Sequence, residues 1–140
     1  MAASHPPSPV RVLVVDDHDV VRRTLAELLS SDADIEVCGT AEDGAVAIRL
    51  VDELDPDVVV MDVGMPVLDG IAATRLIRAG HQETHVLVLS ADSRTATYRA
   101  AMDAGASGYL LKDRPLDLVI ESIRRVHRGE QCLDPPLTGA

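Results

Sequence analysis

Five short apolar runs, rich in β-branched residues and each followed by a stretch of helical periodicity, most constrain how this chain can fold. They occupy residues 10–15, 35–40, 57–61, 85–89 and 107–111. Strands alternating with helices in this way imply right-handed crossovers, and hence a parallel sheet with helices on both faces. The middle run, DVVVM, is continuously apolar, as a strand covered on both sides should be. The helical stretches gather their apolar residues on one face. Val21, Leu25, Leu28 and Leu29 do so in the first, and Ala47, Leu50, Val51 and Leu54 in the second, over residues 43–54. A third helix is expected near residues 69–79, and a fourth near 94–104, stopped by Gly105. Pro115 suits the first turn of a fifth, with Leu116, Val119, Ile120, Ile123 and Val126 inward. The expectation is an α/β, (βα)5 doubly wound parallel sheet in one domain over residues 10–129.

Four of the runs end on polar residues. VRVLVV leads into Asp16 and Asp17, DVVVM into Asp62, HVLVL into Ser90, and SGYLL into Lys112, the only lysine of the chain. In an open α/β sheet, ligands bind at the carboxyl ends of the strands, so these side chains are expected to converge. Three carboxylates at one edge resist ionising together. A hard divalent cation relieves them, and oxygen donors point to Mg²⁺, with Mn²⁺ as a substitute, rather than zinc. Against Lys112 the three aspartates leave two negative charges, which one such cation cancels. The pocket could then accept a phosphoryl group, with one carboxylate as nucleophile. Asp62, from the centre of the sheet, suits that role. Asp16 and Asp17 suit the metal, one directly and the other through water. Lys112 offers a compact positive charge and Ser90 a hydroxyl to phosphoryl oxygens.

Each residue has a plainer reading alone. Aspartates after strands commonly cap the next helix, and a lone lysine is usually solvated. Only the set argues for chemistry. His18, beside the acidic pair, reads as a solvated loop histidine, because a hard-cation site does not favour imidazole. Gly105 and Gly108 read as turn and packing glycines, and no GxxxxGK[ST] phosphate loop is present.

Composition narrows the classes. Apolar residues make up 46% with no Phe and no Trp, so Val, Leu, Ile and Ala must build the core. A net charge of −10 repels nucleic acid and anionic lipid. No run approaches the roughly 20 apolar residues of a membrane helix. Residues 1–9, with three prolines, read as a disordered leader, and residues 130–140 as the start of a linker or an unstructured tail. Two cysteines are too few for a disulfide framework, and a reduced, cytoplasmic setting is expected.

The segments VVDDH, VVVMDVGMPVLDG, VLVLSAD and AGASGYLLKD together resemble the receiver domain of bacterial two-component response regulators. They look most like the subfamily in which the receiver precedes a LuxR-type helix-turn-helix. The resemblance implies a flavodoxin-like fold with strand order 2-1-3-4-5, and phosphorylation of Asp62 by a sensor histidine kinase. It implies Mg²⁺ held by Asp17, Asp62 and the backbone carbonyl of Gly64. It also implies a switch in which Ser90 shifts toward the acyl phosphate and Tyr109 moves inward behind it, altering the face formed by the fourth helix, fifth strand and fifth helix. Homodimerisation on phosphorylation, and DNA binding through an output domain outside these residues, complete the picture. Such a chain is not an enzyme beyond assisting its own phosphorylation and dephosphorylation.

Two positions depart from many relatives. Gly64 brings no side chain to steer water, and Asp113, not proline, follows Lys112. Two rival readings stay open. One is a stand-alone receiver working through protein contacts. The other is a haloacid-dehalogenase-like phosphatase, since Asp17-His18-Asp19-Val20 resembles that family's DxDx[TV] motif. The phosphatase needs a late acidic pair, for which only Asp113 and Asp117 are available, and leaves Asp62 without a task.

Overall fold

A computed structural model describes residues 8–65 and 69–134. Its elements are β1 (Val10–Val15), α1 (Asp19–Ser30), β2 (Ile35–Ala41), α2 (Gly44–Leu54), β3 (Val58–Asp62), α3 (Gly70–Gly80), β4 (His85–Ser90), α4 (Thr95–Asp103), β5 (Gly108–Leu111), α5 (Leu116–His127) and β6 (Cys132–Leu133). All strand pairs are parallel, in the order β2-β1-β3-β4-β5-β6. The expected order 2-1-3-4-5 is therefore present, and the doubly wound flavodoxin-like fold with it.

Strand periodicity divides the core in two. Leu13, Val15, Val59, Met61, Val86 and Val88 pack with Ala47, Val51, Ala73, Ile77 and Ala101, on the side of α2, α3 and α4. Val12, Val14, Val58, Val60, Leu87 and Leu110 pack with Leu29, Val119, Ile123 and Val126, on the side of α1 and α5. β3 is buried along its whole length, in keeping with its unbroken apolar run. Two helices begin on aspartate caps: Val46 N donates to Asp43 Oδ1 at 2.9 Å, and Ala72 N to Asp69 Oδ1 at 2.8 Å. Among the described residues no peptide bond is cis, and no helix is long and apolar enough to cross a membrane.

Two expectations need correction. Pro115 stands at the N-cap of α5, one residue before its first turn. In α1 only Leu29 is buried, while Val20, Val21 and Leu28 are 74%, 45% and 44% exposed. Val20, Val21, Leu25 and Leu28 instead face Leu116 and Val119 across an open groove of about 360 Å³. Periodicity assigned the right face, but α5 stands too far off to cover it.

The second correction concerns the segment after Gly129, expected to lack structure. Cys132 N donates to Ser107 O at 3.2 Å and Asp134 N to Tyr109 O at 3.0 Å, so Cys132–Leu133 extend the sheet as a sixth strand. The fully buried Asp134 anchors it. Arg114 grips that carboxylate through Nε at 2.5 Å and Nη2 at 2.8 Å, and Leu111 N adds a bond of 3.2 Å. Such a two-pronged pair is among the stronger charge-assisted contacts. Residues 1–7, 66–68 and 135–140 lie outside the described residues, including most of the expected leader and Pro66 of the loop after β3.

Candidate functional site

At the carboxyl edge of the sheet, the parallel register brings the ends of β1, β3, β4 and β5 together. Asp16 is still sheet-bound through its N–H to Ala41 O at 3.1 Å, and is 3% exposed. Its carboxylate is fully engaged: Oδ2 accepts from Lys112 Nζ at 2.8 Å and Oδ1 from His18 N at 2.9 Å. Asp17 follows with its side chain turned into the pocket, and its Oδ1 is buried without a hydrogen bond. Asp62 closes β3, paired with Leu89, and its Oδ1 lies 3.4 Å from Lys112 Nζ. Lys112 is itself fixed by its N–H to Ser90 O at 2.9 Å.

His18 is more involved than a solvated loop histidine would be. Its side chain is 69% exposed, yet Nδ1 lies 3.2 Å from Asp16 Oδ1 and 3.1 Å from Asp17 Oδ1, the latter without hydrogen-bond geometry. One ligand atom from each of Asp16, Asp17, His18 and Asp62 falls within 4.8 Å of the others. A cavity of about 240 Å³ opens beside them, lined by His18, Asp62, Gly64, Ser90, Asp92 and Lys112.

The electrostatics are those of a crowded acidic pocket. Burial pushes the Asp62 carboxyl above its ordinary 3.8; Asp16 and Asp17 push the same way, and Lys112 opposes them. Burial would raise Asp16 too, but its bonds from Lys112 and the His18 N–H outweigh that and hold it below 3.8. Burial works against the Lys112 ammonium, and its bond to Asp16 and the charge of Asp62 overcome this, so its pKa lies above 10.5. Asp17 Oδ1 is therefore the uncommitted buried acceptor, with the raised carboxylate of Asp62 close by. Oxygens of this kind suit a hard divalent cation, which would satisfy the first and relieve the second. A divalent ion thus fits the residues present, with Asp17 and Asp62 best placed to hold it.

Ser90 and Tyr109 take unexpected positions. Ser90 Oγ accepts from Asp92 N at 2.9 Å and is 3% exposed. Tyr109, expected to swing inward, is already fully buried, its hydroxyl donating to Asp92 O at 2.7 Å. Its ring meets Tyr98 edge-on, with centroids 5.9 Å apart. The hydroxyl needs a buried acceptor, and the β4–α4 turn offers one. Gly64 is exposed, with open space on its side-chain side.

Gly70 was not singled out from the sequence. A Cβ there would lie 2.0 Å from Asp62 O, so only glycine lets α3 begin beneath the end of β3. The Asp-Gly pair at a helix start is the local signal, but the contact eight residues back is not readable from it. Among the described residues, neither Asp113 nor Asp117 joins the acidic group, so the late acidic pair required by the phosphatase reading is missing.

Comparison with known proteins agrees with this geometry. The family model for the response regulator receiver domain matches residues 12–124. The transcriptional regulatory protein LnrK of Bacillus subtilis is 39% identical over 129 residues, covering 92% of this chain and 59% of its own length. The chain thus spans about three fifths of that relative. Among solved structures, a LuxR-family two-component response regulator from Aurantimonas superposes with a TM-score of 0.89 at 32% identity, over 94% of each chain. The signal receiver domain of the NarL regulator from Mycobacterium tuberculosis gives 0.85 at 35% identity, over 89% of this chain and all of that one (100%). With the family model covering most of the chain and all five strand-end side chains of the motif gathered at one edge, the chain belongs to the response regulator receiver domain family.

Proposed function

We propose that this domain takes a phosphoryl group onto Asp62 from a sensor histidine kinase, and so governs an output domain that binds DNA and regulates transcription. One observation carries the reading. Asp62, its pKa raised by burial and by two neighbouring carboxylates, faces a cavity of about 240 Å³ with an ammonium 3.4 Å away. A carboxylate so placed is a poorly stabilised anion beside an open space of phosphoryl size.

An Asp62 oxygen attacks phosphorus in line, the bond from phosphorus to the donor nitrogen breaks, and that nitrogen leaves with a proton on the donor. Mg²⁺ or Mn²⁺, when bound, supplies charge neutralisation between carboxylates and phosphoryl oxygens. Asp17, Asp62 and the Gly64 carbonyl would hold it, and Asp16, both of whose oxygens are already engaged, would support it less directly. Lys112 balances the charge that arrives on Asp62, and Ser90 exchanges its bond from Asp92 N for one to a phosphoryl oxygen. In the switch assigned to Ser90 and Tyr109, the inward position of Tyr109 is the state held by Asp92 O.

Partners follow from the surface. Val20 and Val21 give the kinase an apolar footing beside Asp16 and Lys112, and the same α1–α5 face suits a homodimer. A net charge of −10 assigns DNA contact to a separate domain. LnrK, named a transcriptional regulator, is longer than this chain, which favours this over a stand-alone receiver.

The test is incubation with acetyl phosphate and Mg²⁺, followed by intact mass, with Asp62→Ala alongside. A labile gain of one phosphoryl group that needs the cation and vanishes in the variant is expected. A gain that survives in Asp62→Ala would refute the assignment.

A further inference from the structure

Arg22, on the second turn of α1, has no role in the phosphoacceptor chemistry assigned above. Its side chain is only 12% exposed. Nη1 donates to the Asp16 backbone carbonyl at 2.9 Å, and Nη2 to Asp19 Oδ1 at 2.6 Å. The Asp16 carbonyl lies where β1 leaves the sheet, in a residue that is 3% exposed, so without Arg22 it would be a buried acceptor lacking a partner. That carbonyl shares one rigid plane with the Asp17 N–H and Cα. Holding it fixes the position of the Asp17 Cα from which the side chain departs. Asp17 Oδ1 is the buried carboxylate oxygen that no protein group satisfies.

We infer that Arg22 is a positioning residue for the divalent-cation site, acting through the Asp16–Asp17 peptide plane to aim Asp17 at the ion. This rests on the phosphoacceptor reading, in which Asp17 holds Mg²⁺. The His18 N–H on Asp16 Oδ1 ties the turn from its other side, so Arg22 and His18 together restrain the two-residue exit.

The sign of the effect separates positioning from simple charge. A guanidinium near a cation site repels the cation, so its removal should tighten Mg²⁺ binding if Coulomb repulsion were its only influence. A positioning role predicts the reverse.

The test is calorimetric titration of the full chain with Mg²⁺, comparing wild type, Arg22→Met, Arg22→Lys and Asp19→Ala, with metal-free thermal melts of each. Arg22→Met keeps the aliphatic stem and loses both donors. Its Mg²⁺ affinity should fall about tenfold, as when partners that orient a metal ligand are removed. Arg22→Lys should recover part of the loss. Asp19→Ala, which leaves the Asp16 contact in place, should stay within about twofold of wild type. In acetyl-phosphate labelling, the Mg²⁺ concentration for half-maximal rate should rise in Arg22→Met, with the rate at saturating Mg²⁺ retained. Unchanged or tighter Mg²⁺ binding in Arg22→Met overturns the inference. If Arg22→Met does not fold, Arg22→Ala takes its place, and unchanged or tighter Mg²⁺ binding there overturns the inference equally. Failure of the wild type to bind Mg²⁺ would instead overturn the phosphoacceptor reading beneath it.

Discussion

Replacing Asp62 by Asn should stabilise the metal-free protein, although it removes the group on which the proposed function depends. Asp62 and Asp16 are buried and Asp17 is partly so, and the ligand atoms of the three lie within 4.8 Å of one another. At an effective dielectric near 20, each like-charge contact at that distance costs about 3.5 kcal/mol. Attraction to Lys112 at 3.4 Å returns about 5 kcal/mol on the same scale. The imbalance is about 2 kcal/mol against the ionised carboxylate, cut to about 1–2 kcal/mol by water reaching the partly exposed Asp17 and Lys112. Asn keeps the shape and loses the charge. For a chain of this size that gain corresponds to a melting temperature higher by about 3–6 °C.

Urea denaturation at pH 7 in EDTA, followed by circular dichroism, measures it. The raised pKa of Asp62 sets the pH dependence: the cost exists when the carboxyl is ionised, and disappears as pH falls through its folded value, which lies above 3.8. The advantage of the variant should therefore shrink in acid. Added Mg²⁺ should stabilise the wild type by about 2.7 kcal/mol at about a hundredfold excess over its dissociation constant, and Asp62→Asn by much less, reversing their order. A variant no more stable than wild type in EDTA would refute the view that these carboxylates oppose one another.

Two further substitutions probe the scaffold. Asp134→Asn should cost about 2 kcal/mol at neutral pH by breaking the two-pronged pair with Arg114, read as a urea midpoint shift. The hydrogen bond from Arg114 outweighs burial and lowers the Asp134 pKa, so this stability is present above the ordinary 3.8 and lost as pH falls through the depressed value. The penalty should fade over that acid window, and one that persists there would refute the ion-pair account. Gly70→Ala should cost about 3 kcal/mol, because its Cβ meets backbone rather than a side chain that can turn away. It should also shift the Asp62 amide resonance, whereas a variant matching wild type in both measurements would show that the start of α3 can yield.

The candidate site was legible where sequence position and sheet geometry are the same thing. Asp16, Asp17, Asp62, Ser90 and Lys112 each follow an apolar run, and a parallel sheet places the ends of such runs on one edge. Contacts made around corners were not legible. Arg22 reaches the Asp16 carbonyl across the β1–α1 turn, and nothing in DDHDVVRR distinguishes that arginine from the exposed Arg23 beside it. Asp134 looked like part of a proline-rich tail, because its partner Arg114 lies beyond a whole helix. The apolar stripe of α1 was legible as a face, but its exposure was not, since periodicity orients a helix without supplying a neighbour.

Lysine at position 112, in a chain whose other twelve basic residues are arginine, fits what this pocket asks of a cation. An arginine facing Asp16 and Asp62 would settle into a two-pronged bond with one carboxylate, as Arg114 does with Asp134, and leaving it would break two hydrogen bonds at once. The Lys112 ammonium is a single point that holds Asp16 at 2.8 Å and stands 3.4 Å from Asp62. Under the proposed function, phosphorylation would turn the single negative charge of the Asp62 carboxylate into about −1.5 to −2 on the acyl phosphate, which would shift the balance between the two sites with a small rotation of one flexible stem. The backbone of that lysine is bonded to Ser90 O, and Leu111 before it to the Asp134 carboxylate. Under the proposed function, a change in which carboxylate the ammonium favours would be delivered to β5, beside buried Tyr109 and next to β6.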